Sequence, residues 1–448
     1  MAPSTPSALL TDLYELNMAR SYLRRGMQGD ATFSLFVRRL PPQRGFLVAA
    51  GLEPCLEFLE SFAFGDDDLE YLGRELGFED EVLSQLGDLR FHGDVWAVPE
   101  GRIVYANEPL LEITAPIAVA QLVEPLLLNQ ITFQTTIASK AARCVIAADG
   151  RDVVDFSLRR TQGLDAAIAV ARCSSIVGFA ATSNVEAARR FGLRPSGTMA
   201  HSYIESFPSE KEAFRAFARD FPDRTTFLVD TFETLNGVRT AIEVIHELGL
   251  REHLAVRLDS GDLDELSRDA RELLDEAGMP HVRIFASGGL DEFEIDRLVG
   301  AGAPIEAFGV GTRMGVSADA PTLDSVYKLV EYDGRPILKL SKDKVTAPGR
   351  KQVSRGPHGD VVGLRTEERP DDLEPLLVPV MLGGERTGPH RTLEIARMHF
   401  RTDLERVPEA ARRIADPVPH EPTTTPALDR LAEQARSEAL ERAGLPEG

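Results

Sequence analysis

Between residues 153 and 312 the chain repeats one pattern that leaves few folds open: a run of six to eight residues rich in β-branched and apolar side chains, then a helical stretch. The runs are VVDFSL (153–158), SIVGFAAT (175–182), PSGTMAH (195–201), TTFLVDT (225–231), LAVRLDS (254–260), VRIFAS (282–287) and IEAFGVGT (305–312). Segments 162–172, 183–191, 209–220, 232–248, 262–278 and 291–302 carry helical periodicity. Strands and helices alternating at this spacing imply parallel strands joined by right-handed crossovers. Seven such units predict an α/β fold built on a (β/α) barrel, closed or nearly so; periodicity alone leaves a short open sheet as the alternative.

The two ends read differently. At 448 residues the chain exceeds the roughly 250–300 at which single cores stop growing, so a second lobe is expected. Residues 1–118 hold a helix (TDLYELNMARSYL), a strand (ATFSLFV), an amphipathic stretch from Gly51 to Ser61 and strands near 95–98 and 110–114, an α+β pattern. Residues 119–325 are expected to form the barrel, and residues 326–448 are a third zone. They begin with a hairpin, YKLVEYDGRPILKLS, whose Asp333-Gly334 pair is a two-residue turn signal, and end in a capped helix.

Composition narrows the function. With 50 Lys+Arg against 71 Asp+Glu the net charge is −21, which argues against nucleic acid as a partner. Three cysteines, Cys55, Cys144 and Cys173, without paired spacing point to neither a disulfide framework nor a zinc site. The N-terminus lacks the pattern of a signal peptide, and the longest apolar run, near 117–128, is too short to span a bilayer. A cytoplasmic enzyme is the expectation.

In parallel α/β folds ligands bind at the carboxyl ends of the strands. Ser287-Gly288-Gly289 and Gly309-Val310-Gly311-Thr312 end the last two runs, and such glycines let backbone N–H groups approach a phosphate. Arg257 and Asp259 alternate about Leu258 and so share a face, able to hold an anionic ring substituent and a sugar diol; a structural ion pair is the alternative. His201 ends PSGTMAH, where an imidazole can act as base, ligand or phosphoryl acceptor, or serve structure alone. Lys140, Arg143, Arg159 and Arg160 concentrate positive charge in an acidic chain, as a bound polyanion requires and as solvated surface charge also would.

These motifs are joined by others in a fixed order: TDLYELNMA (11–19), FVRRLPPQRGFLVAAGLE (36–53), DFSLRRTQG (155–163), GFAATSNVEAARRFG (178–192), SGTMAHSYIESF (196–207), RLDSGDL (257–263), FGVGT (308–312) and KLSKDKVTAPGRKQV (339–353). Together they resemble the nicotinate phosphoribosyltransferase family. The resemblance implies a type II phosphoribosyltransferase fold, an irregular (β/α) barrel with a flanking α+β domain built from both chain ends, to which residues 326–448 return. It also implies a reaction joining nicotinate to phosphoribosyl pyrophosphate, coupled to ATP hydrolysis, with Mg²⁺. By the same resemblance His201 becomes a phosphohistidine, with Asp230 and Asp259 as the carboxylates near it and the ribose. Tyr14 stacks on the pyridine ring of a partner subunit in a homodimer. Thr198, Arg257 and Arg159 contact substrate, and Gly288, Gly289, Gly311 and Thr312 hold phosphate, with Arg38, Lys140, Arg160, Lys344 and Lys351 as weaker phosphate candidates.

Met199 stands where many members carry a second histidine. Ser183 stands where nicotinamide-using relatives place an aspartate, which favours the acid as substrate, because a carboxylate there would repel it. Nicotinamide or quinolinate transfer on the same fold, and a non-catalytic phosphate-binding barrel, are the rival readings.

Overall fold

The structure, a computed structural model, describes residues 7–340, 346–388 and 392–445. The chain divides into two units. One comprises residues 1–136, 322–411 and 417–448, the other residues 137–321 and 412–416, and the boundary falls inside a 24-residue helix, Glu124–Ala147.

The second unit carries the barrel. Its six parallel strands lie in the order Ala181–Thr182, Asp152–Asp155, Ala307–Val310, Arg283–Ala286, Ala255–Leu258 and Thr226–Leu228. The two edge strands are not bonded to each other, so the sheet is an open half-barrel. This corrects the expected seventh strand. Residues 195–201 contribute only a single bridge, Pro195 to Thr182, and then a short helix, His201–Glu205. The run 175–182 is also shortened, because the helix Leu164–Ile176 extends into it and only Ala181 and Thr182 pair. Outward-facing residues such as Phe227, Val256, Leu258, Ile284 and Phe308 are sealed beneath the crossover helices.

The first unit is antiparallel and draws on both ends of the chain. Its seven-stranded sheet runs Arg335–Pro336, Ser325–Tyr332, Asp30–Val37, Pro109–Pro116, Asp94–Ala97, Val378–Leu382 and Glu385–Arg386. Tyr327 stacks on Phe33 with ring centroids 4.7 Å apart and donates its hydroxyl to Ala120 O at 2.7 Å. Asp333 and Gly334 both take positive φ, 51° and 73°, as the tight turn joining Tyr332 to Arg335 requires. A buried ionic knot adds long-range ties: Asp403 Oδ2 accepts from Arg102 Nε at 2.8 Å, Arg355 Nη1 at 2.7 Å and the Ile103 N–H at 2.9 Å. Among the described residues no helix is long and apolar enough to cross a membrane.

The long helix Glu124–Ala147 was not visible as one element in the sequence. Residues 134–144 are buried on every face, so no polar stripe marks its period. Near its start, Gln121 Nε2 donates to Glu124 Oε2 at 2.9 Å. Burial, reinforced by the neighbouring Glu15 carboxyl, pushes the Glu124 pKa up to about 7. An unfolded glutamate ionises near pH ~4.3. Between that pH and 7 the folded chain therefore holds the extra proton, and stability falls as pH rises. Glu124→Gln is predicted to flatten the melting temperature between about pH 5 and 8, gaining most at the alkaline end; parallel curves for variant and parent would contradict this.

Candidate active site

The carboxyl ends of the strands gather the polar residues. Arg257 is held on three sides: Nε donates to Ser287 Oγ at 2.7 Å, Nη1 to Thr198 Oγ1 at 3.1 Å and Nη2 to Asp259 Oδ1 at 2.6 Å. Its guanidinium carbon sits 5.4 Å from the centroid of the Phe156 ring. Gly309 makes room for that ring, since a Cβ there would stand 2.7 Å from it. Three acceptors from three segments fix the guanidinium plane and still leave N–H capacity for a ligand.

Asp259 is the second anchor. Burial alone would raise its pKa, but the Ser287 hydroxyl and the Arg257 cation outweigh that, with His201 adding to them, and hold the carboxyl below its ordinary value. Asp230 lies on the adjoining turn, its Oδ2 accepting from Ser260 Oγ at 2.5 Å and from the Asp259 N–H at 3.2 Å. Asp230 Oδ1 is buried and has no partner. Gly288, at φ 95°, packs so closely on Asp259 O that a Cβ would come within 1.8 Å of it, so no other residue fits this turn.

His201 faces the same carboxylates. Its Nδ1 lies 3.1 Å from Thr231 Oγ1 and its Nε2 3.9 Å from Asp259 Oδ2, with 43% of the side chain exposed. In the tautomer that places the proton on Nδ1, Thr231 accepts it and Nε2 presents a lone pair.

A further buried acid organises the neighbouring loops. Asp155 accepts from Ser157 N at 2.9 Å, Ser157 Oγ at 2.6 Å and Thr182 Oγ1 at 2.7 Å. It thereby ties the turn that carries Arg159 and Arg160 to the turn that carries Ser183. Burial raises its pKa, and the three donors oppose that rise.

The structure therefore brings together Thr198, His201, Asp230, Arg257 and Asp259, with Gly288 against them. Ser183 lines the same cavity as Thr198. Gly289, Gly311 and Thr312 lie at the carboxyl ends of adjacent strands, and Arg159 and Arg160 are exposed on the loop after Asp155. Lys140 and Lys351 stand apart from the other phosphate candidates. Lys140 is 1% exposed and paired with Glu292 at 2.5 Å and Asp319 at 2.7 Å. Lys351 is buried against Glu112 at 3.1 Å and donates to Gly349 O at 2.7 Å. Both ammonium groups are spent on the interior, which removes the reason for reading them as phosphate ligands.

Tyr14 and Arg38 belong to the other unit. Tyr14 is half-exposed beside Leu10 and Leu13, and Arg38, whose Nε is buried without a partner, lines a cavity of about 680 Å³ with Arg39 and Arg44. Lys344 lies outside the described residues. Ser287 and Phe156 escaped sequence reasoning as individual site residues; the position of Ser287 at a strand's carboxyl end was the available signal, whereas Phe156 carried none apart from its place in DFSLRR.

An anchored arginine, two carboxylates and an accessible histidine at the carboxyl ends of parallel strands make this a barrel enzyme for small anionic substrates. Residues 9–132 match the nicotinate phosphoribosyltransferase N-terminal domain, and residues 152–362 match the nicotinate phosphoribosyltransferase family. The chain is 52% identical over 417 residues to a nicotinate phosphoribosyltransferase of Mycobacterium tuberculosis, covering 91% of this chain and 89% of that protein. It is 44% identical over 357 residues to the nicotinate phosphoribosyltransferase of Bacillus subtilis, covering 78% and 73%. The crystal structure of human nicotinic acid phosphoribosyltransferase superposes with a TM-score of 0.84 at 28% identity, covering 95% of this chain and 99% of that one. The chain belongs to the nicotinate phosphoribosyltransferase family.

Ser287→Ala removes both the donor to Asp259 and the acceptor for Arg257 Nε. The Asp259 pKa is predicted to rise in a carbon-detected NMR titration, since one of the groups that lower it is gone; an unchanged titration would show that Ser287 does not position the pair.

Proposed function

We propose that this chain joins nicotinate to phosphoribosyl pyrophosphate, forming nicotinate mononucleotide and pyrophosphate in the salvage of NAD, and that ATP drives the reaction through His201. The observation that carries the reading is Arg257, fixed by Thr198, Asp259 and Ser287, with the neutral Ser183 lining a cavity that Thr198 also lines. A guanidinium in that setting receives a carboxylate, and a serine at 183 offers it no repulsion.

The bond to be made is from the pyridine nitrogen to C1 of the ribose, as the C1–O bond to pyrophosphate breaks. Positive charge develops on the sugar, so carboxylates nearby stabilise the transition state and fixed geometry lowers the entropic barrier. Asp259 and Asp230 supply the carboxylates. The glycine turns at 288–289 and 311–312, together with Arg159 and Arg160, supply donors for phosphate. Hard carboxylate oxygens, one of them the unpartnered Asp230 Oδ1, suit Mg²⁺, so Asp230 and Asp259 would hold that ion, which neutralises charge on the leaving pyrophosphate.

His201 takes the γ-phosphoryl group: the Nε2 lone pair forms the N–P bond as the P–O bond to ADP breaks, and water later cleaves the N–P bond to release phosphate. The anchored Nδ1 and accessible Nε2 support this role.

A homodimer completes the site. Leu164, Val185 and Phe232, all highly exposed, stand at or beside the helix starts that follow three of the barrel strands, and Leu10, Leu13 and Tyr14 form a second exposed apolar group. Covering the first with the second from a neighbouring copy removes both from water and brings the partner subunit's Tyr14 to the ring as a stacking platform.

The test is product formation from phosphoribosyl pyrophosphate and Mg²⁺ with nicotinate, nicotinamide or quinolinate, each with and without ATP. Nicotinate mononucleotide formed faster with ATP, and a His201→Ala variant that loses both the ATP stimulation and the phosphoenzyme, are the expected results. Preference for another pyridine would overturn the substrate assignment. ATP stimulation surviving in His201→Ala would overturn the phosphohistidine.

A further inference from the structure

The interior of the half-barrel is its wetter face. Ala255, Arg257 and Asp259 are partly exposed, whereas Val256 and Leu258 between them are sealed under helices, and Arg283 and Phe285 alternate in the same way with Ile284 and Ala286. Filled barrels carry layers of bulky branched side chains inside. Here the inward positions include Val154, Ala181, Thr226, Ala255 and Ala307, and they leave a chamber of about 550 Å³. At one end the chamber is lined by Ser183 and Thr198, the residue that receives Arg257 Nη1. Its lining includes the first residues of all six strands, and at the other end it reaches Asp152, Thr226 and Arg283. Phe285, the in-register neighbour of Arg257, forms part of its wall.

That far end is exposed and cationic. Arg194, Arg224, His253 and Arg283 line it. Arg283 pairs with Asp152 at 3.0 Å, whereas Arg194 and Arg224 make no ion pair among the described residues. In a chain of net charge −21, two uncompensated arginines at one opening create a local field that attracts anions. The lining between the two ends is small and apolar, with Phe217, Phe221 and Phe285 along it, which suits a flat ring.

We propose that this chamber is a second entrance to the active site, through which a planar aromatic carboxylate reaches Arg257 from the amino-terminal ends of the strands. The phosphorylated sugar substrate then occupies the carboxyl-end mouth without closing the path of the ring acid. The inference rests on the reaction proposed above and adds a route and two guiding residues, Arg194 and Arg224, to it.

The experiment compares kcat/KM for nicotinate at saturating phosphoribosyl pyrophosphate, which reports capture of the acid by the loaded enzyme, with kcat/KM for phosphoribosyl pyrophosphate at saturating nicotinate. Ala255→Phe puts a ring into the chamber and replaces none of the residues that hold Arg257. It is expected to lower the nicotinate value at least tenfold while kcat and the phosphoribosyl pyrophosphate value stay within threefold, with circular dichroism melting confirming the fold. A second variant, Arg194→Glu with Arg224→Glu, is expected to lower the nicotinate value several-fold at low salt and to abolish its dependence on ionic strength. A wild type that turns over nicotinate, together with a plugged form of unchanged nicotinate kcat/KM or an Arg194/Arg224 variant of unchanged salt dependence, overturns the entrance alone. A wild type that turns over no nicotinate overturns the reaction, and the entrance with it.

Discussion

Arg257 is tied to two segments distant in sequence, residue 198 after the edge of the sheet and residue 287 on the next strand, and to residue 259 on its own strand's turn. The tie to Ser287 needs the parallel register that places Arg257 beside Phe285, because that register sets the carboxyl ends of the two strands side by side. The Arg257–Asp259 pair is neutral overall, and the ties fix the direction of the guanidinium N–H groups. Removing one acceptor would free the plane to rotate, and with it the position of any carboxylate it holds.

Openness of the sheet is the other constraint. A closed barrel of eight strands would fill its interior, whereas six strands with unpaired edges leave both a mouth and a chamber. Charge inside this unit follows the same logic of full pairing. Glu292 is buried between Lys140 and Arg143, and Arg143 also donates to Ile414 O at 2.5 Å. Buried ions are tolerated where partners satisfy them, and breaking such a pair leaves a costly orphan. These cations therefore hold the scaffold, while Arg159 and Arg160 are exposed.

Much of this was legible in the sequence because the βα period, the Asp333-Gly334 turn and the terminal helix are local signals. The polar residues that end the strands could be named without knowing where the strands lie in space. Three things could not be read. Residues 195–201 look like a strand, yet Gly197 and the open edge leave them nothing to pair with beyond Pro195. The helix Glu124–Ala147 hides its period because its second half is buried all round. Lys140 and Lys351 look like phosphate ligands in sequence, because only the fold reveals the carboxylates they meet.

The central claim is that Arg257 recognises the carboxylate of a pyridine acid. Arg257→Gln keeps a polar, though shorter, side chain and removes the charge, so the direct measurement is kcat/KM for nicotinate and for nicotinamide in this variant and its parent. A fall of about a hundredfold or more for nicotinate, the scale of a lost charged hydrogen-bond pair, against a change of less than about tenfold for nicotinamide is the predicted result. Equal losses for both pyridines would contradict it and leave Arg257 a structural residue of the barrel rim.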